Sequence, residues 1–281
     1  MDLYFSEFSY GYAVTQEFEN FYAAPLKAAP IFPSLQNEGT KGYDVELIRR
    51  GIKPDAPGIP LFLQFKLAER IERRFNGRID DAYYSPPFYR VKLRTRRPNQ
   101  HELLVRLDRQ GKEVYYVAPG FHRSSDLNEN FSTGSVVANS VLVTPGALGR
   151  FPEGERHHFS FKAPSEGFVR RFSESDKVIN TTHVRSIIDH HRELILSEPP
   201  GASLLNLDTL ATLEHEMFDA AGGEGLVEGL DTKGTLFPDQ ISRRWRELGL
   251  LNRIGYIARV AFECAFFVIG ISEAETGQTP A

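Results

Sequence analysis

The stretch from Gly42 to Lys66, GYDVELIRRGIKPDAPGIPLFLQFK, constrains the fold of this chain more than any other. Two runs of strand composition, YDVELI and IPLFLQFK, flank a segment (Lys53, Pro54, Asp55, Ala56, Pro57, Gly58) that can continue neither a helix nor a strand. The stretch therefore predicts a β-hairpin. Asp44 stands near the start of the first strand. Gln64 and Lys66 close the second, in surroundings made apolar by Leu61, Phe62, Leu63 and Phe65. Residues two apart on a strand share a face, so Gln64 and Lys66 are expected to project together, with the Phe65 carbonyl between them. An aspartate, a carboxamide oxygen and a main-chain carbonyl form an all-oxygen donor set suited to a hard cation such as Mg²⁺ (or Mn²⁺). A lysine beside such a site can orient a metal-bound water or neutralise a phosphate as charge develops.

Asp44 followed twenty residues later by Gln64-x-Lys66 resembles the core of the PD-(D/E)xK nuclease superfamily. The variant is the one with glutamine for the first acidic residue, as in Mrr-type restriction enzymes. Two departures stand out: Tyr43 occupies the place of the usual proline, and the uncharged Gln64 implies weaker metal binding. The resemblance implies an α/β fold with a restriction-endonuclease-like αβββαβ core over residues 1–122, followed by a strand-containing connection and a mostly helical region over 123–281. It implies catalysis by Asp44, Gln64 and Lys66 and a metal held by Asp44 and Gln64. Glu17 (or Glu19) of the preceding helix and Glu46, on the same strand face as Asp44, are the further acidic candidates. The activity so implied is Mg²⁺-dependent cleavage of DNA, with RNA as the second substrate class, in restriction or anti-phage defence. The alternative is a catalytically inactive DNA-binding or scaffold subunit of a larger complex. The chain has no G-x-x-x-x-G-K-[ST] loop, so any ATP dependence would come from an ATPase or helicase partner.

Composition fits a globular protein: 281 residues, 41% hydrophobic and 25% charged. The single cysteine, Cys264, excludes an internal disulfide framework and a multi-cysteine zinc site. The first residues, MDLYFSEFSYGYAV, lack the basic and apolar regions of a secretory signal, so the expected location is cytoplasmic. With a net charge of −4, the protein is no polycation, and any nucleic-acid surface must be local. Such a surface is suggested between Arg70 and Arg97, where nine Lys or Arg face three acids. Within it Arg90, Lys92, Arg94 and Arg96 recur every second residue, a basic stripe if the segment is a strand.

The remaining expectations follow the chain. Residues 5–24 read as an amphipathic helix starting after Ser6, and a short strand is expected around Ile31 to Leu35. LAERIERRFNG, ending at Gly77, reads as a short helix. PNQHELLVRLDRQG and VYYVA form the clearest helix-then-strand unit, with Gly111 as the C-cap. SVVANSVLVTP is strand-like, and the loop that follows carries His157 and His158. From Asp176 the pattern is helical, including the apolar tail Ile254 to Gly270, whose Arg259 and Glu263 disfavour a membrane span. These C-terminal helices are the candidate surface for a homo-oligomer. Trp245, among three arginines, reads as a cap on the core.

Overall fold

The computed structural model describes residues 5–21, 58–75, 78–93, 100–151, 157–172, 177–197, 207–220 and 265–270, with residues 250, 253, 254 and 257. The first strand of the expected hairpin, with Asp44 and Glu46, lies outside these residues. So do the strand expected at 31–35, Arg94, Arg96 and Trp245. The architecture is mixed α/β, with two sheets. The chain forms two compact units, one of Met1–Ala23 with Leu63–His190, the other of Ala24–Phe62 with His191–Ala281. Among the described residues no helix is long and apolar enough to cross a membrane.

Helix α1 (Glu7–Phe21) begins where the sequence places it: the Ser6 hydroxyl accepts the Ser9 amide at 3.0 Å, satisfying a donor that the helix cannot pair internally. It buries Tyr10, Val14 and Phe18, spaced four apart. Strand β1 (Gly58–Phe65) meets this helix through Phe65. The ring lies so close to Gly11 that a Cβ there would come within 2.8 Å of Phe65 Cδ2. Tyr10 meets the same ring edge-on at 6.1 Å and donates its hydroxyl to Ser140 Oγ at 2.7 Å.

After β1 come β2 (Glu69–Ile71), a 3-10 turn (Ile79–Ala82) and β3 (Phe88–Leu93). Helix α2 (Gln100–Arg109) buries Leu104, Val105 and Leu107 and closes at Gly111, whose φ of +77° is left-handed. The Lys112 amide reaches back to the Leu107 carbonyl at 3.1 Å, using up a carbonyl that the helix end leaves unpaired. Strand β4 (Glu113–Pro119) is buried from Val114 onward, as a central strand covered on both faces must be. It lies between β1 and β5 (Ser140–Val143), antiparallel to the latter with Tyr116 opposite Val143. Helices α3 (Ser124–Thr133) and α4 (Pro145–Leu148) flank β5 in the chain.

The second sheet has the order β2-β3-β6-β7-β8, where β6 is His157–Phe161, β7 Phe168–Phe172 and β8 Lys177–Asn180. All its pairings are antiparallel, with Glu69 and Ser160 both opposite Arg90, and His158 opposite Lys92. Opposed residues share a face, so Glu69, Arg90, Lys92, His158 and Ser160 lie on one side. The other side carries Tyr89, Val91, His157, Phe159 and Phe161. Beyond this sheet run α5 (Val184–Ser197) and α6 (Leu207–Ala220). In the second unit α6 buries Leu210, Leu213 and Met217, Arg253 Nε pairs with Glu214 at 3.1 Å, and β9 (Ala265–Gly270) is the strand next to β1.

Four local expectations are corrected. The helix expected in LAERIERRFNG is strand β2: so short a helix has little stability of its own, whereas the strand pairs Glu69 with Arg90 and buries Ile71 among Tyr84, Phe88 and Phe172. The strand-like run after residue 134 narrows to β5, because Val136 and Val137 are buried in a turn behind α3, which ends at Gly134 with φ +63°. His157 and His158 are on strand β6, not a surface loop, and alternation gives each its own packed partner: His157 stacks on Phe151 at 4.5 Å, His158 on Phe172 at 5.1 Å. The helical reading beyond Asp176 fails twice. Residues 177–180 are strand β8, and the end of the apolar tail, AFFVIG, is strand β9, as its aromatic and β-branched side chains favour.

His101 gives the first sheet a measurable signature. Its Nε2–H donates to the Gly149 carbonyl at 2.6 Å, so Nδ1 is free to accept the Tyr116 hydroxyl at 3.0 Å, an arrangement only the neutral ring can make. Burial drives its pKa down to about 4. Between that value and the ordinary histidine range the unfolded chain binds a proton that the folded one does not, so stability falls as pH drops through this window. The loss expected on going from pH 7 to pH 4 is roughly 3 kcal/mol from this residue. Urea unfolding of wild type and His101→Gln across the window checks it; the variant should lack that part of the slope.

Candidate functional site

At the end of β1 the backbone order continues one residue past the strand: the Lys66 amide donates to the Val117 carbonyl of β4 at 3.0 Å. Because the Phe65 ring faces α1, alternation turns Gln64 to the opposite face of the sheet. Gln64 is 1% exposed, and its Nε2 donates to the Phe65 carbonyl at 3.2 Å. That carbonyl is the one the sequence assigns to a cation. Lys66 extends to the start of α1, where its Nζ lies 4.0 Å from Glu7 Oε1, with the two side chains 12% and 36% exposed.

Glu17, the helix carboxylate expected near this site, is engaged elsewhere. It follows Glu7 by ten residues, roughly 15 Å further along the helix axis. Its Oε2 accepts the Val137 amide at 3.1 Å. Burial raises its pKa against the lowering effect of its bonds to the Val137 and Val136 amides. Glu17 thus docks α1 onto the turn before β5, and Glu7 is the α1 carboxylate at Lys66. Glu7, in the first turn of the helix, carries no signal in the sequence that marks it out for this place; Glu17 and Glu19 are the carboxylates the sequence suggests.

The basic stripe is partly neutralised within its own sheet. Arg90 Nη2 and Lys92 Nζ both contact Glu69 Oε2, at 3.1 and 3.2 Å. Arg90 is 17% exposed and Lys92 75% exposed, so of these two Lys92 is the one that meets solvent. Burial opposes ionisation of Glu69, but the two cations outweigh it and hold the carboxyl below its usual range.

Beneath the stripe lies a cluster that the sequence did not single out. Asp80, on the 3-10 turn, is 0% exposed. His158 Nε2 donates to its carboxylate at 3.0 Å, Ser160 Oγ donates to Oδ1, and Arg90 Nη1 stands 3.7 Å from Oδ2. Desolvation would raise the Asp80 pKa; the bonds from His158 and Ser160 and the charges of His158 and Arg90 overcome it, and the pKa is lowered. A serine, a histidine and an aspartate in contact invite comparison with a nucleophilic triad, but the connectivity is wrong. In a triad the histidine bridges the other two and takes the serine proton. Here Asp80 is the bridge, and the buried Ser160 hydroxyl donates its hydrogen bond to the carboxylate. The cluster is a structural knot between the turn and the sheet. Among the described residues no group of three His, Cys, Asp or Glu side chains gathers to hold a metal ion.

Comparison of the chain with models of known families, with curated proteins and with solved structures returned no match.

Removing the Asp80 carboxylate leaves a half-buried guanidinium, an imidazole and a buried hydroxyl without their common acceptor. Asp80→Ala should cost about 3–5 kcal/mol in urea unfolding, the range for breaking a buried ion pair from one side. A cost under about 1 kcal/mol would show that the sheet does not depend on this knot.

Proposed function

We propose that this chain is a divalent-metal-dependent DNA nuclease whose working residues would be Asp44, Gln64 and Lys66, the last two at the end of β1. The observation that carries the reading is the position of Lys66: one residue beyond a buried strand, its backbone held by β4 and its ammonium beside the Glu7 carboxylate. The pairing of β1 with β4 adds support; in chain order β2 and β3 of the other sheet stand between β1 and α2, a departure from a plain αβββαβ core. In this reading Glu7, not Glu17, is the helix carboxylate of the site.

The donor chemistry fits a hard cation. Gln64 lies within hydrogen-bond reach of the Phe65 carbonyl, and its amide offers an oxygen as well as the nitrogen that makes the present bond. With the Asp44 carboxylate these give the all-oxygen set that Mg²⁺ or Mn²⁺ takes, Glu46 being a further candidate. When bound, the ion would supply a water of lowered pKa and positive charge against a phosphate oxygen. Lys66 would stabilise negative charge as it builds on the phosphate, and Glu7 would hold that ammonium in place. Buried Phe62 and Phe65 keep the surroundings dry, which strengthens each of these interactions. Lys92 and Arg90, with Arg94 and Arg96, would contact the DNA backbone. Restriction or anti-phage defence, an ATPase or helicase partner and self-association through C-terminal helices belong to the same proposal.

The burial of Gln64 and its bond to the Phe65 carbonyl favour a second reading, in which a nuclease fold serves as a non-catalytic DNA-binding or scaffold subunit. Two substitutions separate the readings. For a nuclease, Lys66→Ala abolishes Mg²⁺-dependent cleavage of plasmid DNA, and Gln64→Glu, which offers a charged oxygen in the same place, retains it. For a scaffold, Gln64→Glu buries an uncompensated charge and destabilises the fold by several kcal/mol, with no rescue by Mg²⁺. Cleavage by purified Lys66→Ala at the wild-type rate would overturn the hydrolytic assignment.

A further inference from the structure

Strand β2 turns Arg70 to the face of the second sheet opposite that of Glu69, directly across from Tyr89 of β3. Its guanidinium is held by one nitrogen alone. Arg70 Nη1 donates to Glu72 Oε1 at 2.9 Å and lies 3.3 Å from His122 Nε2. A guanidinium can only donate, so this ring nitrogen accepts, and His122 is neutral with its proton on Nδ1. Burial, and after it the charge of Arg70, lowers the His122 pKa, which keeps the ring in that form. The two acceptors together use both hydrogens of Nη1. Nε and Nη2, the edge with which an arginine meets an anion side-on, make no hydrogen bond among the described residues. With the side chain 23% exposed, that edge is open to water.

Two further donors stand around it. Tyr89, stacked on Phe161 at 5.4 Å, carries a hydroxyl with no hydrogen bond among the described residues. Burial raises its pKa, so the hydroxyl keeps a proton to donate, and the charges that act on it are those of Arg70, Asp126 and Arg123. Arg123, next to His122 in the chain, is exposed and has no carboxylate partner among the described residues. The acids of this cluster are already engaged: Glu72 with Arg70, and Asp126 with the Arg123 amide at 3.2 Å and the Ser125 hydroxyl at 3.3 Å. A carboxylate ligand would be satisfied by the arginine fork alone. A phosphate, with more charge and with oxygens pointing several ways, uses the fork, the phenol and the second guanidinium together.

We propose that Arg70, Tyr89 and Arg123 form a phosphate-binding site, with His122 as the residue that positions Arg70. The site uses none of the residues assigned to hydrolysis and requires no metal, so it does not rest on that reading. It lies near them all the same. Phe121, beside His122 in the chain, packs on Phe5 at 5.7 Å and on Tyr10 at 6.1 Å, at the start of α1 where Glu7 meets Lys66.

The test is a titration of the full chain with inorganic phosphate, in EDTA at fixed ionic strength, with calorimetry for the affinity and the arginine ¹⁵Nε signals for the place. The Arg70 signal, assigned by its loss in Arg70→Lys, should move saturably with phosphate and not with acetate. Arg70→Lys leaves a cation for Glu72 but lacks the fork, and should weaken phosphate binding at least about tenfold, the loss of one charge-assisted bond. Arg123→Gln, at an exposed position with no part in folding, should weaken it severalfold. His122→Gln still offers Arg70 an acceptor and should retain binding, whereas His122→Leu should lose it. Wild-type affinity in Arg70→Lys or in Arg123→Gln overturns the proposal, as does an Arg70 signal that acetate moves as far as phosphate does. Displacement of the phosphate by oligo(dT) assigns the site to a nucleic-acid strand, and oligo(dT) that leaves it in place assigns the site to the free ion.

Discussion

The contact between the Phe65 ring and Gly11 governs the geometry of the first unit. Any side chain at position 11 would displace the ring, since even a methyl carbon would approach it to 2.8 Å. Seated there, α1 has only one way to lie across the end of β1. Tyr10 then reaches Ser140, Glu17 reaches the amide of Val137, and Glu7 comes to Lys66. A single close approach of helix to strand thus sets which carboxylate docks the helix and which one faces the candidate site.

The second sheet solves a different problem, that of keeping a charge dry. Desolvation of Asp80 is offset by the hydrogen bonds from His158 and Ser160 and by the neighbouring Arg90, which also pairs with Glu69, itself in contact with Lys92. Charges of alternating sign thus run from the buried Asp80 through Arg90 and Glu69 to the exposed Lys92. The turn that this network pins, Ile79–Ala82, also holds the Phe75 amide through Asp81.

What the sequence reveals here is what local chemistry decides. The start of α1 at Ser6, the close of α2 at Gly111 and the strands β1, β3 and β4 each carry their signal within a few residues. Strand β2 does not, because ERIERR has no preference strong enough to outweigh a cross-strand partner some twenty residues away at Arg90. The Asp80 knot joins residues 78 and 80 positions apart, and nothing near Asp80 in sequence announces His158 or Ser160. The candidate site is legible in part: Gln64 and Lys66 stand out by their polarity in an apolar strand. Their environment is not, since which carboxylate of α1 comes to Lys66 depends on how the helix packs.

The central claim is that Gln64 lends its amide oxygen to a divalent cation at the end of β1. Mn²⁺ broadens the NMR signals of nuclei close to where it binds, so the most direct measurement is a titration of protein carrying ¹⁵N-labelled glutamine with substoichiometric Mn²⁺, followed by Mg²⁺. The account predicts that the Gln64 side-chain amide signals broaden before those of the other glutamines and recover as Mg²⁺ displaces the Mn²⁺. Gln64 signals that stay sharp, while the exposed glutamines broaden weakly and alike, would contradict it.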